Sequence, residues 1–429
     1  MIEKSIMMRG RPNRRPDRRF RRQLWRSFAW MVLAAIFLPG RPGWAQQGVT
    51  DRVVRVGGVM DLEGRSRGLG LGMKAGIEAA IRNQRVKGRR VEFVTLNDSY
   101  TPSKTIQATQ ALVTQGVFVM IGNVGTPTAK VSLPLLAQSK VPAVGFFTGA
   151  GLLRPGTGDI INYRASYVQE TAAVIRAAID AGVNPAQICA YVQNDAYGMA
   201  GVIGIQRALG ALPGTELMTK TLDVILRQQG ENPERNDVGP VGVYQRNTFT
   251  SRSGYKSLKN WEEISKAPCK VVVTVGTYNA ISKFAAYSRY KGEDWIISAV
   301  SFTGADNFHK ALADASINDR VIMTQVVPPL DSRLAIVAEA RDQLGEKFGW
   351  VSLEGYIVGK LWLSAMQSVQ GRISRAKFLD AIKGRKFDLG GLKLDYTNDN
   401  QGSDLVVLTN LTPDGFKPMS LRAWDALVR

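Results

Sequence analysis

Residues 117–147 read VFVMIGNVGTPTAKVSLPLLAQSKVPAVGFF, and this stretch alone contains a strand, a turn, a helix and a second strand. The runs 117–121 and 142–147 are almost continuously apolar, as strands of a parallel sheet covered on both faces must be. Between them, Gly122, Asn123 and Gly125 supply a turn, and 127–138 carries a helical pattern.

The same unit repeats outward. Upstream lie strands at 53–60 (VVRVGGVM) and 91–97 (VEFVTLN), with helical patterns at 70–84 and 103–115. Downstream, after Tyr163-Arg164-Ala165-Ser166, a second series begins, with strands expected at 188–193, 215–222, 271–275, 295–300 and 320–326. Two successive series predict an α/β protein of two Rossmann-like, doubly wound lobes. A single (β/α)8 barrel fits less well. The irregular crossing near Tyr163, the helical block at 333–383 and the short strands at 392–396 and 405–410 interrupt any eightfold repeat. Residues 227–258 are polar, rich in Gly, Asn, Arg and Ser, and show no helical stripe; they read as an insertion, either an ordered hairpin or flap around Val241-Gly242-Val243-Tyr244 or a linker.

Residues 1–45 form an export signal. Arg9, Arg11, Arg14, Arg15, Arg18, Arg19, Arg21, Arg22 and Arg26 make a basic region, 28–38 (FAWMVLAAIFL) is an apolar run, and Gly43-Trp44-Ala45 offers a small-x-small cleavage site. Such a run is too short for a bilayer span, which needs about 20 residues. The pair Arg21-Arg22 leaves twin-arginine export open beside the general secretory route. Without this segment the chain holds 45 basic and 34 acidic residues, a net charge of about +11. The positive charges are scattered and not interleaved with aromatics, so nucleic acid is not an expected partner.

Catalytic equipment is missing from the pattern. Cys189 and Cys269 each precede an apolar run without a CxxC or a neighbouring His, so no metal site is expected. Whether they pair with each other is left open by the spacing. The lone His309 reads as a surface residue, and no nucleophile elbow is present. The glycines of GLGLGMKAG (Gly68, Gly70, Gly72, Gly76) invite a dinucleotide reading. Their spacing is one residue too long and the second strand ends without the ribose-binding acid, so no cofactor is expected; close passage of a strand-to-helix turn explains them as well.

The ordered segments VVRVGGVMDLEG, NDS, IGNVGTPTAKVSLPLLAQSKVPAVGFFTGAGLLRP, NYRAS, NDAYGMAG, VGTYNAISKFAAYSR, AVSFTGAD, TQVVPP and SLEGYIVGKLW resemble the Leu/Ile/Val-binding family of periplasmic solute-binding proteins that serve ABC importers. The resemblance runs from about residue 52 to 411. It implies two lobes joined by three crossings, one of 49–165 with 329–398 and one of 166–328 with 399–429.

It also implies a ligand cleft. Thr126 opens a helix and is placed to hold an anion or simply to cap that helix; Phe147, Thr148 and Gly149 form the next strand end, where Thr148 either contacts ligand or stabilises the turn. From the second lobe, Tyr197 contacts ligand or packs in the core, and Tyr278 contacts ligand or lines the hinge. Where amino-acid binders of the family carry an acid for the ligand's ammonium, this chain offers Ser301 or Phe302. Either another carboxylate such as Asp195 takes that role, or the solute is an amide, a urea-like molecule or a carboxylate with no α-ammonium. The implied function is capture of a small solute by a monomer that hands it to an ABC permease, without catalysis. A sensory receptor of the same fold is the first alternative, and an exported NAD-dependent oxidoreductase the second.

Overall fold

The computed structural model describes residues 47–230 and 233–428, so the expected leader at 1–45 lies outside the described residues. The chain begins with β1 (Val53–Met60), α1 (Arg67–Ile81), β2 (Arg85–Val86), β3 (Arg89–Asn97), α2 (Pro102–Gln115), β4 (Val119–Ile121), α3 (Thr126–Gln138), β5 (Ala143–Val144) and β6 (Ile160–Ile161). These strands form one sheet in the order β2-β3-β1-β4-β5-β6, parallel except for the short β2–β3 pair. The quoted stretch supplies its right half, with β4 paired in parallel to both β1 and β5.

A first crossing leads to α4 (Tyr167–Asp180), β7 (Ile188–Gln193), α5 (Ala196–Gly210), α6 (Glu216–Arg227), β8 (Val241–Tyr244), α7 (Arg252–Ser265), β9 (Val271–Val275), α8 (Tyr278–Tyr290), β10 (Ile296–Ala299), α9 (Ala305–Asp314) and β11 (Val321–Gln325). A second crossing returns the chain to the first sheet through α10 (Ala335–Leu344), α11 (Trp350–Ser368), α12 (Arg375–Asp380) and the hairpin β12 (Lys386–Leu389) with β13 (Leu392–Asp395). A third crossing adds β14 (Val407–Thr412), β15 (Gly415–Pro418) and α13 (Leu421–Val428). The second sheet has the order β15-β14-β11-β10-β9-β7-β8, with β14 and β15 antiparallel at one edge. Every residue of β9, VVVTV, is buried, as its two helix-covered faces demand.

The glycines of α1 have a packing purpose. A Cβ at Gly70 would lie 1.9 Å from the Asp61 carbonyl oxygen, and one at Gly76 would lie 2.1 Å from that of Ser352 and 2.5 Å from the Tyr356 nitrogen. Small residues there let α1 turn tightly off β1 and lie directly against α11.

Two expectations change, and one open question is answered. Residues 215–222 were expected as a strand, but 216–227 is α6, whose buried Met218, Leu222 and Ile225 recur at helical spacing. Residues 227–258 are no insertion flap: 241–244 is the parallel edge strand β8, and α7 begins at Arg252 and buries Gly254, Ser257, Leu258 and Trp261. That helical stripe runs past residue 258, which hid it in the sequence. Finally, Cys189 and Cys269 form a disulfide across the starts of β7 and β9, closing a sequence separation of 80.

Candidate functional site

Loops leaving the carboxyl ends of both sets of parallel strands face one another, the position where open α/β sheets bind ligands. From the first sheet, Gly125 adopts φ 105°, a conformation open to glycine, and releases the chain into α3 at Thr126. Thr126 Oγ1 lies 2.6 Å from Thr148 Oγ1, which in turn hydrogen-bonds the Tyr167 hydroxyl at 3.1 Å and accepts from the Ala150 N–H at 3.3 Å. Both threonines are fully buried. Gly149 accepts from the Tyr167 N–H at 2.8 Å, and a Cβ on it would press into the Tyr167 ring at 2.8 Å.

The second lobe answers with aromatics. Phe302 packs 5.2 Å from Phe147, 6.1 Å from Tyr100 and 4.7 Å edge-on from Tyr197, so rings from both sheets meet around it. Tyr197 also lies 5.3 Å from Tyr167 and donates to the Gly276 carbonyl at 3.3 Å. Tyr278 reaches across: its hydroxyl donates to the Arg65 carbonyl at 3.1 Å and accepts from the Gly68 N–H at 3.4 Å. Arg65 returns the contact by stacking over Phe249 at 4.8 Å. Thr126, Phe147, Thr148, Gly149, Tyr197 and Phe302 therefore come together in one buried seam, while Tyr278 latches its rim.

Ser301 is placed differently from the other seven. It faces inward and donates from its N–H (2.7 Å) and its hydroxyl (3.0 Å) to the carboxylate of Glu170, which also accepts from Thr324 Oγ1 at 2.5 Å. The carboxylate suggested as a substitute, Asp195, is also occupied. It caps α5 through the Tyr197 N–H (3.0 Å), accepts from Gln193 Nε2 (2.8 Å) and pairs with Arg246 (3.1 Å).

Sequence reasoning missed the centre of the crossing. Arg164, in the first crossing, lies 3.4 Å from Glu170 on α4 and 3.6 Å from Glu354 on α11, and its guanidinium sits 4.9 Å above the Phe147 ring. All three charged groups are almost wholly buried. The available signal was a charge on an apolar face: Glu170 lies on the buried stripe Tyr167, Thr171, Val174 of α4, and Glu354 lies within a helix otherwise buried around it.

Two carboxylates share one cation here, so one of them is under-compensated. Burial, only partly offset by Arg164 and aggravated by Glu170, raises the Glu354 carboxyl from its ordinary 4.5 to about 7. Glu170 is raised by burial as well, against the pull of Arg164, Thr324 and Ser301. The other titratable groups facing Glu354 are Arg154 and Tyr163. A raised folded-state value favours the protonated form, so the contribution of Glu354 is complete below its unfolded value and is lost as pH rises through the folded one. Stability should fall by at most about 3 kcal/mol between about pH 5 and pH 7. Chemical unfolding across that range should show this slope in the parent and a flatter one in Glu354→Gln; parallel curves would contradict the assignment.

Comparison with known proteins gives the geometry its context. Residues 53–224 match the model of the family described as periplasmic binding protein. A possible leucine/isoleucine/valine-binding protein from Rhodopirellula baltica is 32% identical, with 86% of this chain and 97% of that one covered at a TM-score of 0.75. The leucine-binding protein of Thermotoga maritima is 15% identical, covering 85% and 97% at 0.69, and an ABC-transporter solute-binding protein of Rhodopseudomonas palustris in complex with 4-hydroxybenzoate is 15% identical, covering 86% and 96% at 0.68. No curated protein matches the chain. Two doubly wound lobes, three crossings and a shared seam of strand-end loops, together with a relative at this identity over nearly its whole length, place the chain in the type I periplasmic binding protein family.

Proposed function

We propose that this protein is the exported solute-binding component of an ABC importer, that it captures a small carboxylate or amide between lobes 49–165 with 329–398 and 166–328 with 399–429, and that it performs no catalysis. In this reading 1–45 is a cleaved leader to the periplasm, and a permease reads closure of a monomer. Thr126, Thr148 and the backbone of Phe147 and Gly149 present hydroxyls and amides, Tyr197, Tyr278 and Phe302 bring the opposing wall, and Ser301 supports that wall from behind through Glu170. A solute that touches both walls stabilises the closed form by the difference in its contacts between the two states.

The observation that carries the solute class is the commitment of the acids. Glu170 and Asp195 are both satisfied by protein donors, and the stretch that the resemblance matches to the acid of amino-acid binders offers Ser301 or Phe302. An ammonium enclosed there without a partner would be costly by several kcal/mol. A thermal-shift screen across amino acids, short amides, keto acids and aromatic acids tests this reading. A carboxylate or amide at 100 times its dissociation constant should stabilise the fold by about 2.7 kcal/mol, with leucine, isoleucine and valine inactive. A response confined to those three amino acids would refute it.

A further inference from the structure

Beside the aromatic seam lies a cavity of about 670 Å³ that opens to solvent. Ser103 and Lys130 line it from the first lobe, and Asn194, Asp195, Arg235 and Arg246 from the second. Its size falls within the range of small-molecule sites, and an occupant would be held by both lobes at once. Much of its second-lobe wall comes from the polar connections after α6 and β8, which the repeating strand-helix pattern does not explain.

The charge of this chamber is unbalanced. Among the described residues that line it, Lys130, Arg235 and Arg246 stand against one carboxylate, Asp195, which is already held by Arg246 at 3.1 Å. Arg235 is only 7% exposed, and its three hydrogen bonds go to neutral oxygens: Ile225 O (3.0 Å), Asn194 Oδ1 (2.7 Å) and Gln228 O (2.7 Å). Its guanidinium is thus fixed in place by neutral oxygens, with Asp195 acting on it only through space and no ion pair to it among the described residues. Lys130, one turn along α3 from Thr126, makes no ion pair among the described residues. The buried, pre-positioned Arg235 favours an anion more than the same charge on an open surface would, and the part-exposed Arg246 and exposed Lys130 add to the positive field.

The chamber is also wired to the seam. Gln193 donates from Nε2 to Asp195 Oδ2 at 2.8 Å and to the Tyr100 hydroxyl of the opposite lobe at 3.3 Å. Resting on the capture reading above, we infer that the outer chamber is an anion subsite and that the solute is a dicarboxylate, its apolar middle against the aromatic seam and its second carboxylate among Lys130, Arg235 and Arg246.

Titration calorimetry with two matched pairs, terephthalate against benzoate and adipate against hexanoate, tests the inference on the whole protein. The dicarboxylate of at least one pair should bind about ten-fold more tightly, the effect of one good charge-assisted contact. Lys130→Ala with Arg246→Gln should reduce that advantage to less than about three-fold, and Lys130→Gln alone, on an exposed helix surface, should reduce it in part. Equal affinities within both pairs, or an advantage that survives the substitutions, would overturn the subsite while leaving the capture reading intact. No binding by any of the four would likewise overturn the subsite, while the capture reading stands or falls on the thermal-shift screen.

Discussion

Replacing Arg164 with methionine should destabilise the protein by about 3–5 kcal/mol, the range for removing one partner of a buried ionic cluster. Methionine keeps most of the volume, so the loss is electrostatic in origin. Glu170 and Glu354 would be left in the interior without their shared cation, and the guanidinium's position over Phe147 and Tyr167 would be lost as well. Glu170 belongs to a helix of the second lobe and Glu354 to a helix packed on the first, so Arg164 also ties the lobes together at the crossing. Adding Glu354→Gln to Arg164→Met should recover part of the stability, because one uncompensated charge is then removed. Urea unfolding of the parent, the single and the double variant measures this. A loss below about 1 kcal/mol for Arg164→Met, as at an exposed pair, would show that the cluster is not charged as described.

Loss of the Cys189–Cys269 bridge should be comparable, at about 4 kcal/mol. The bridge closes a loop with a sequence separation of 80, and chain-entropy estimates place loops of that size near this value. Both cysteines are buried, so Cys189→Ala with Cys269→Ala leaves small apolar residues in a small apolar site and perturbs the folded state little. The effect should therefore act through the unfolded chain. Guanidinium unfolding with and without reductant should show the parent falling to the stability of the double variant, and the variant unmoved by reductant. A parent insensitive to reductant would show that the bridge is not formed.

How much of this was legible in the sequence depended on the range of the interaction. Strands such as VVVTV at 271–275 declare themselves because burial on both faces leaves no room for polar alternation. Residues 215–222 misled because Leu217, Met218 and Leu222 read as an apolar run, although only Met218 and Leu222 face inward, with Ile225 completing a helical stripe. The loops of the site were visible at strand ends, and most of the named residues do meet there. What their neighbours do to them was not visible. Ser301 turns away to Glu170, 131 residues earlier, and Arg164 joins an acid of the adjoining helix α4 to Glu354 of the remote helix α11. Such pairings depend on the arrangement of whole elements and leave no local periodicity to read.

The proposed capture of a solute between the Thr126–Thr148 wall and the Tyr197–Phe302 wall requires the two lobes to close on it. Small-angle X-ray scattering of the protein, alone and saturated with the carboxylate or amide that gives the largest thermal shift, tests it most directly. The particle should be more extended without solute, and its radius of gyration should fall when solute is bound. Identical scattering in both states, at a concentration where calorimetry shows the site filled, would contradict it.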